Sequence, residues 1–497
     1  MGQPGPADHH PRSDAHDHLT WRCRLAAGVR LRRVGRRAFV VGERPLTVVE
    51  VKPAALRLLT RLSADTEVEF AVLRPAELRL LRHLADLDLA TLTATASAPV
   101  QPSVTVVIPV RDRPAELAAC LASLAAVRYP RELLDVVVVD DGSARPPPVP
   151  EGVRLVRLPR SVGPAGARNA GARESRAAVL AFVDSDCLVE PGWLEGLLPE
   201  LADPEVAAVG GRVGPVSERT WLERYEAVRS PLDLGPKRAV AGPGRPVPYL
   251  VTANVVVRRA DFVAAGGFDE RLRWGEDVEL CWRLCRAGRR LVYQPAGRVR
   301  HRHRGDVRAF ASTRASYARS EAALLARHPE GERWLAFSPG AAAALLGGLG
   351  ALFGRRRLLA AGGLALALET AATAGRLAPL GIPRRRAGPA LLRGQATGLY
   401  WIARQVTRYY GLALTVAALS WRPARGRLVL ALAGLWAAPV IADWRRLHPR
   451  QSMPAFLAAQ LLDDTAYQYG LLHSCWRGRT LLPLRVRLRL IGGRAPS

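Results

Sequence analysis

Leu180-Ala-Phe-Val-Asp-Ser-Asp186 decides how this chain is read. An apolar run stops at two carboxylates one residue apart. In a parallel sheet a strand buried on both faces reads as unbroken apolar residues, and ligands gather at the carboxyl ends of such strands. Asp184 and Asp186 are therefore expected at the lip of a cleft. Two hard oxygen ligands there suit Mg²⁺ or Mn²⁺, shared with the phosphates of a substrate. An Asp-x-Asp triplet alone is a weak motif, because Asp and Ser are also common turn formers. The flanking sequence has to carry the decision.

Residues 104–300 alternate apolar strands with helical patterns, the sign of βαβ units. Val104–Val110 and Leu134–Val139 read as strands, the second running into Asp140-Asp-Gly-Ser143, and Val153–Leu158 as a short third. Pro114–Leu124 reads as an amphipathic helix, and Gly163–Arg176 as a Gly/Ala-rich turn and helix. Arg229–Pro248, rich in Pro and Gly, is expected to loop over the site. In Gly267-Phe-Asp-Glu-Arg-Leu-Arg-Trp-Gly-Glu-Asp277 a turn delivers Glu276 and Asp277 to the start of a helix. The macrodipole there favours an ionised carboxylate, as a general base requires. In isolation the same segment also reads as an N-capped surface helix with an acidic first turn.

Taken in order, Val104-Thr-Val-Val-Ile-Pro109, Val137-Val-Val-Asp-Asp-Gly-Ser143, Gly163-Pro-Ala-Gly-Ala-Arg-Asn-Ala-Gly171, Val183-Asp-Ser-Asp186 and Gly266-Gly-Phe-Asp269 leading to Gly275-Glu-Asp277 resemble the family-2 glycosyltransferases of the GT-A fold. The resemblance spans roughly residues 103–305. It implies an α/β fold with a Rossmann-like, mostly parallel sheet, a UDP-sugar donor and a divalent cation, Mg²⁺ or Mn²⁺. By the same resemblance Asp141 reads the uracil ring in a pocket shaped by Pro109, and Arg168 and Asn169 lie near the base or the diphosphate. Asp184 lies toward the ribose and metal, Asp186 is the principal metal ligand, and His301, ahead of His303, is the third. Asp277 is the base that deprotonates an acceptor hydroxyl for inverting attack, with Glu276 beside it. A cation at Asp186 stabilises the departing diphosphate, and a positioned base contributes roughly 10² to 10⁴ in rate. Arg111 stands where many relatives carry an aromatic, and Cys187 where many carry a third acid. Gln405-Val-Thr-Arg408-Tyr409 is only a loose echo of the Gln-x-x-Arg-Trp segment of processive synthases.

The chain outside this region falls into three parts. Residues 1–20 read as a disordered leader; its His9, His10, His16 and His18 suit a polar tail better than a metal site. Residues 21–98 hold strands at Val29–Val34, Ala38–Val41 and Leu46–Val51, then helices with Leu56, Leu59, Leu62 and Leu78, Leu81, Leu84 inward. That pattern suggests a winged-helix module, and it resembles the PqqD-like domains that hold precursor peptides; Thr91–Ser103 reads as a linker. Residues 331–497 are an Ala/Leu/Arg-rich helical tail. Its apolar runs Trp334–Gly354, Leu358–Gly375, Tyr409–Trp421 and Leu428–Ala442 range from long enough to span a bilayer to too short. Arg355-Arg-Arg357 is too tight a joint for a simple hairpin, and a pair of spans would carry it across against the positive-inside tendency. Association with the inner leaflet, on the cytoplasmic face, through interfacial or re-entrant helices is the expectation, and an Ala-rich soluble domain packed on the sheet the alternative.

A formal charge of +28 would ordinarily point to nucleic acid or an anionic surface. Here Lys occurs only at Lys52 and Lys237, so the excess is an arginine bias spread along the chain, and no basic stripe interleaved with aromatics precedes residue 330. No nucleic-acid partner is expected. Six scattered cysteines make no zinc spacing, and the polar Met1–His18 lacks the apolar core of a secretory signal, so a reduced cytosolic setting is expected. The layout of small module, family-2 domain and arginine-rich tail with Leu461-Leu-Asp-Asp-Thr-Ala-Tyr467 resembles the mycofactocin-biosynthesis glycosyltransferases of actinobacteria. That resemblance implies glucose transfer from UDP-glucose onto the peptide-derived cofactor mycofactocin, building a short β-1,4-glucan. An enzyme acting on a cell-envelope lipid or polysaccharide and a non-catalytic peptide- or membrane-binding protein are the alternatives.

Overall fold

The computed structural model describes residues 19–43, 46–62, 68–69, 73–96 and 101–490. The histidine-bearing leader up to residue 18 lies outside the described residues. The chain forms two compact units, Met1–Pro102 and Ser103–Ser497.

In the first unit, β1 (Leu19–Leu25) is followed by an antiparallel meander of β2 (Arg30–Val34), β3 (Arg37–Glu43) and β4 (Leu46–Val51). Helices α1 (Pro53–Arg61) and α2 (Pro75–Asp86) flank the two-residue β5 (Val68–Glu69), and β6 (Ala90–Ala96) ends the unit. Both helices begin at proline, whose missing N–H and fixed φ suit a first turn. Leu59, Leu62, Leu81 and Leu84 of the expected stripes bury with Leu58 against Val40 and Val51, while Leu56 and Leu78 are half-buried. The expected linker is in part a strand. Residues 90–96 pair antiparallel along the whole of β1, because their threonines suit a strand and β1 needs a partner for its backbone.

The second unit is built on a nine-stranded sheet, ordered β11-β15-β12-β14-β10-β7-β8-β9, with β13 paired to β15. These strands are β7 (Val104–Val110), β8 (Leu134–Asp140), β9 (Arg154–Arg157), β10 (Val179–Val183), β11 (Cys187–Val189), β12 (Val206–Pro215), β13 (Ala239–Ala241), β14 (Asn254–Arg258) and β15 (Arg290–His301). The half from β10 to β9 is parallel, as the βαβ pattern predicts. Beyond it the sheet is mixed: β14 runs antiparallel to β10 and β12, while β12 and β15 are parallel to each other. All five residues of β10 are buried, with one apolar core on each face of the sheet. Helices α3 (Pro114–Ala125) and α4 (Pro164–Arg173) connect the parallel strands. After β11 come α5 (Trp193–Leu197), α6 (Trp221–Arg229), α7 (Arg259–Ala264) and α8 (Glu276–Arg286). Residues 239–241, inside the expected loop, form β13.

From α9 (Val307–Ala318) the unit is mainly helical: α10 (Glu321–Arg327), α11 (Pro339–Leu352), α12 (Arg356–Leu377), α13 (Arg384–Ser420), α14 (Arg425–Leu447) and α15 (Met453–Gly478). The run Trp334–Gly354 is not one helix. Its first residues form β16 (Arg333–Phe337), which pairs in parallel with β17 (Val486–Leu490), and Ser338 then caps α11 just ahead of Pro339. The tight joint does make a hairpin. Gly354, at φ +84, ends α11, and missing side chains at Gly347 and Gly362 let the two helices meet backbone to backbone. Among the described residues two helices are long and apolar enough to cross a membrane, Arg356–Leu380 and Arg422–Leu447, with 11% and 17% of their apolar windows buried. By contrast α15 is buried on much of its surface and packs on α9, where Gly470 lies against the Ala315 backbone.

Candidate active site

The carboxyl ends of β7, β8 and β10, the start of α8 and the end of β15 open onto one cleft of about 1460 Å³. Pro109, Asp141, Arg168, Asp184, Asp186, Glu276, Asp277 and His301 all line it. Asn169 does not. It is buried behind α4, where its amide donates to the Phe268 carbonyl and accepts from the Phe268 N–H, both at 2.9 Å. It thereby clamps the 266–269 turn, so the structure gives it a framework position and no contact with the cleft.

Asp141 accepts from the Ser161 hydroxyl and the Val162 N–H at 2.7 Å and the Gly163 N–H at 3.0 Å. The carboxylate is held still by the turn into α4 and keeps acceptor capacity for one more donor. Gly163 makes that turn possible with φ +88.

Asp186 is buried and touched by two guanidinium groups and an imidazole. Arg113 Nη1 lies 2.7 Å from its Oδ2, Arg304 Nη2 3.4 Å, and His301 Nε2 3.3 Å from its Oδ1. Burial works against the ionised form, yet His301, Arg113 and Arg304 together hold the carboxyl well below the usual range. For His301 burial opposes the imidazolium and Asp186 more than compensates, so its pKa is raised. The pairing has a backbone cause: β15 is longer than its apolar core suggests and sets His301 in register with Cys187, next to Asp186. Sequence reasoning named His301 but missed Arg113 and Arg304. Cys187 is buried and does not line the cleft, and burial pushes its thiol well above its ordinary value.

Among the described residues no three His, Cys, Asp or Glu side chains form a closed metal cage. The open pair of Asp186 and His301, with Asp184 nearby on the cleft wall, fits a Mg²⁺ or Mn²⁺ that takes its remaining ligands from phosphate and water. That donor set suits a hard cation. Such a cation would supply charge stabilisation for a leaving diphosphate.

Arg168 is buried and joins two of the acidic motifs, donating to Asp184 Oδ1 at 2.6 Å and Glu276 Oε1 at 2.7 Å. This is a tie between carboxylates, made by a residue that also lines the cleft. Asp277 follows Glu276 on the first turn of α8. Its carboxyl does not simply stay ionised, as the macrodipole alone predicts. Burial, then the Glu276 charge, push its pKa up to about 7, which poises it as a base near neutrality. Trp274 and Tyr317, with rings 6.2 Å apart, stand beside it on the cleft wall.

The tail completes the cleft. Gln405, Arg408 and Tyr409 of α13 and Tyr467 of α15 line it, so the loose Gln-x-x-Arg-Tyr echo faces the site. Arg408 is anchored by Asp463 and Asp464, each at 3.2 Å. Asp463 also accepts from the Tyr225 hydroxyl at 3.0 Å and lies 3.2 Å from Arg314 Nε. Arg314 in turn pairs with Glu226, whose Oε2 is 3.1 Å from His303 Nδ1. Burial outweighs Glu226 and lowers the His303 pKa from its ordinary value. The network itself was not readable beforehand, since its members come from four helices and the segment after β15.

Residues 105–263 match the family model for glycosyl transferase family 2. Over 482 residues the chain is 34% identical to the Pre-mycofactocin glycosyltransferase of Mycobacterium tuberculosis H37Rv, covering 93% of this chain and 96% of that protein. The chain belongs to glycosyltransferase family 2. Its membership makes it a transferase of sugar residues, and the similarity to this relative covers 93% of the chain, well beyond the residues that match the family model. It is also 32% identical to the O-antigen biosynthesis protein RfbC of Myxococcus xanthus over 262 residues, 46% of this chain and 20% of that protein. Among solved structures, the mannosyltransferase PcManGT from Pyrobaculum calidifontis covers 74% of this chain and 88% of its own, with 19% identity and a TM-score of 0.41.

Proposed function

We propose that this family-2 glycosyltransferase transfers a hexose, glucose from UDP-glucose, onto mycofactocin or a related peptide-derived acceptor with inversion, extending it as a short β-1,4-glucan. The observation that carries the reading is the placement of Asp277, a half-buried carboxylate poised near pH 7, in one cleft with the Asp186–His301 pair. The acceptor class is supported by the full-length relative and by a separate N-terminal unit of PqqD-like pattern. In this reading Asp141 and Pro109 hold the uracil, and Asp186, His301 and Asp184 hold Mg²⁺ or Mn²⁺ with the diphosphate. Arg113 and Arg304 add positive charge where the diphosphate departs. Asp277 takes the proton of the acceptor hydroxyl, while Glu276, fixed by Arg168, orients it.

The exposed apolar helices α12 and α14, rimmed by Arg355–Arg357 and Arg445–Arg446, support residence at the cytoplasmic face of the membrane, on its anionic inner leaflet. A lipid-linked envelope acceptor is the second reading, favoured by the half-exposed Trp334 and Trp401 at the mouth of the cleft. The deciding experiment is turnover of a panel of UDP-sugars by the full chain with Mn²⁺, with and without mycofactocin aglycone, followed by mass. Hexose increments on the aglycone from UDP-glucose are expected. Donor hydrolysis without increments would move the acceptor to envelope lipids.

A further inference from the structure

Around Asp277 the cleft is walled by Tyr249, Trp274 and Tyr317. Tyr249 is fixed through its chain neighbours. Trp282 Nε1 donates to the Pro248 carbonyl at 2.8 Å, and the Leu250 N–H donates to Cys281 Sγ at 3.3 Å. Cys281 and Trp282 lie about one turn beyond Asp277, so the helix that presents the base also holds Tyr249 in place. Tyr317, on α9, packs its ring on Trp274, with centroids 6.2 Å apart, and against the Arg314 guanidinium at 5.9 Å. Burial, aided by nearby charges that include Asp277, raises both phenols, so each remains a hydroxyl. Neither hydroxyl has a hydrogen-bond partner among the described residues, and neither is sealed off from open space. Fixed rings with open hydroxyls beside the base suit a ligand that brings hydroxyls of its own. The arginines inside the same wall are already matched. Arg314 pairs with Glu226, Arg333 with Glu321, and Arg408 with Asp463 and Asp464, while Arg273 is exposed. The interior therefore offers hydroxyls and ring faces, which suit a neutral ring and give a phosphate no free guanidinium to meet.

We infer that the Tyr249 and Tyr317 hydroxyls hold the terminal, uncharged sugar ring of the acceptor, with Trp274 against its apolar face, and so aim its attacking hydroxyl at Asp277. These residues then select a neutral glycoside over a lipid phosphate. The inference rests on the proposed extension of a glucan. Tyr249→Phe and Tyr317→Phe test it most directly, because each removes one oxygen and keeps the ring that packs the wall.

The test uses the full chain with UDP, Mn²⁺ and methyl β-cellobioside as the acceptor probe. Binding of the glycoside is followed by saturation-transfer NMR, which does not depend on turnover, and transfer from UDP-glucose is then followed by mass. Wild type is expected to bind the glycoside, and hexyl phosphate should not displace it. Binding without transfer would keep the acceptor site and remove UDP-glucose as the donor, so the two readings fail separately. Each Tyr→Phe variant should weaken glycoside binding about three- to tenfold, the scale of one neutral hydrogen bond. UDP affinity and melting temperature should be unchanged. For each tyrosine the loss should vanish with one monodeoxy glycoside, since removing both partners of one bond is not additive. No glycoside binding by wild type, unchanged binding in both variants, an equal loss with every deoxy glycoside, a parallel loss of UDP affinity, or displacement by hexyl phosphate would each overturn the assignment.

Discussion

Asp277 and Arg168 carry the sharpest expectations at the scale of single residues. Asp277→Asn should lower transfer by roughly 10² or more while UDP binding survives, checked by turnover against calorimetric titration. Because burial and Glu276 raise the Asp277 pKa to about 7, the basic form accumulates only above that value. The expected kcat/KM rises tenfold per pH unit below neutrality and levels off above it. Arg168 opposes that rise with its positive charge. Arg168→Gln should therefore move the midpoint of the pH–rate profile upward, and cost about 3 kcal/mol or more in stability by leaving Asp184 and Glu276 uncompensated. A profile with an unmoved midpoint would remove Arg168 as the group that tunes the base. Asp186→Ala should abolish dependence on Mn²⁺ concentration together with donor affinity. At this scale the acidic positions were legible in the sequence, because each ends a strand or opens a helix. Arg113, Arg304, Glu226 and Arg314 were not, because an arginine or glutamate far along the chain has no local signature of its partner.

At the scale of elements, α8 is set by its approach. Gly275 precedes it at φ +77, and a Cβ there would meet Ser320 Oγ at 2.7 Å and Leu324 Cδ1 at 3.0 Å. Gly275→Ala is expected to destabilise by about 1–2 kcal/mol through the left-handed backbone alone. It should also displace Glu276 and Asp277, so kcat falls by more than the melting temperature implies; a stability loss without a kcat effect would show that the first turn of α8 tolerates a shift. The strands of the parallel half were readable from their unbroken apolar runs. The full length of β15 was not, since Gln294–Arg300 carries polar residues that pair with β12 and β11 through backbone alone. The same blindness split the run Trp334–Gly354 into β16 and α11: composition measures hydropathy, while Ser338-Pro339 decides where a helix can begin.

For the whole molecule, the division into two units and the exposed apolar helices predict separable roles. Deleting residues 1–102 should leave metal-dependent donor hydrolysis within a few-fold of wild type and abolish use of a peptide-derived acceptor. Equal loss of both would make the N-terminal unit a structural support. The intact chain should sediment with anionic vesicles, less so at high salt, as expected of an arginine-rimmed apolar face. Recovery entirely in the supernatant at every vesicle composition would assign α12 and α14 to a protein partner instead.

The sequence by itself determined the α/β class, the family and the acidic residues of the site. Those rest on local rules: apolar runs make buried strands, and carboxylates at strand ends and helix starts face a cleft. Only the tertiary structure decided which cations hold Asp186, that Arg168 ties two motifs together, that Asn169 turns away, and that α13 and α15 close the cleft. It also raised the Asp277 pKa to about 7. Burial and charge proximity are properties of the assembled fold, summed over residues that the chain keeps hundreds of positions apart, so no window of sequence contains them.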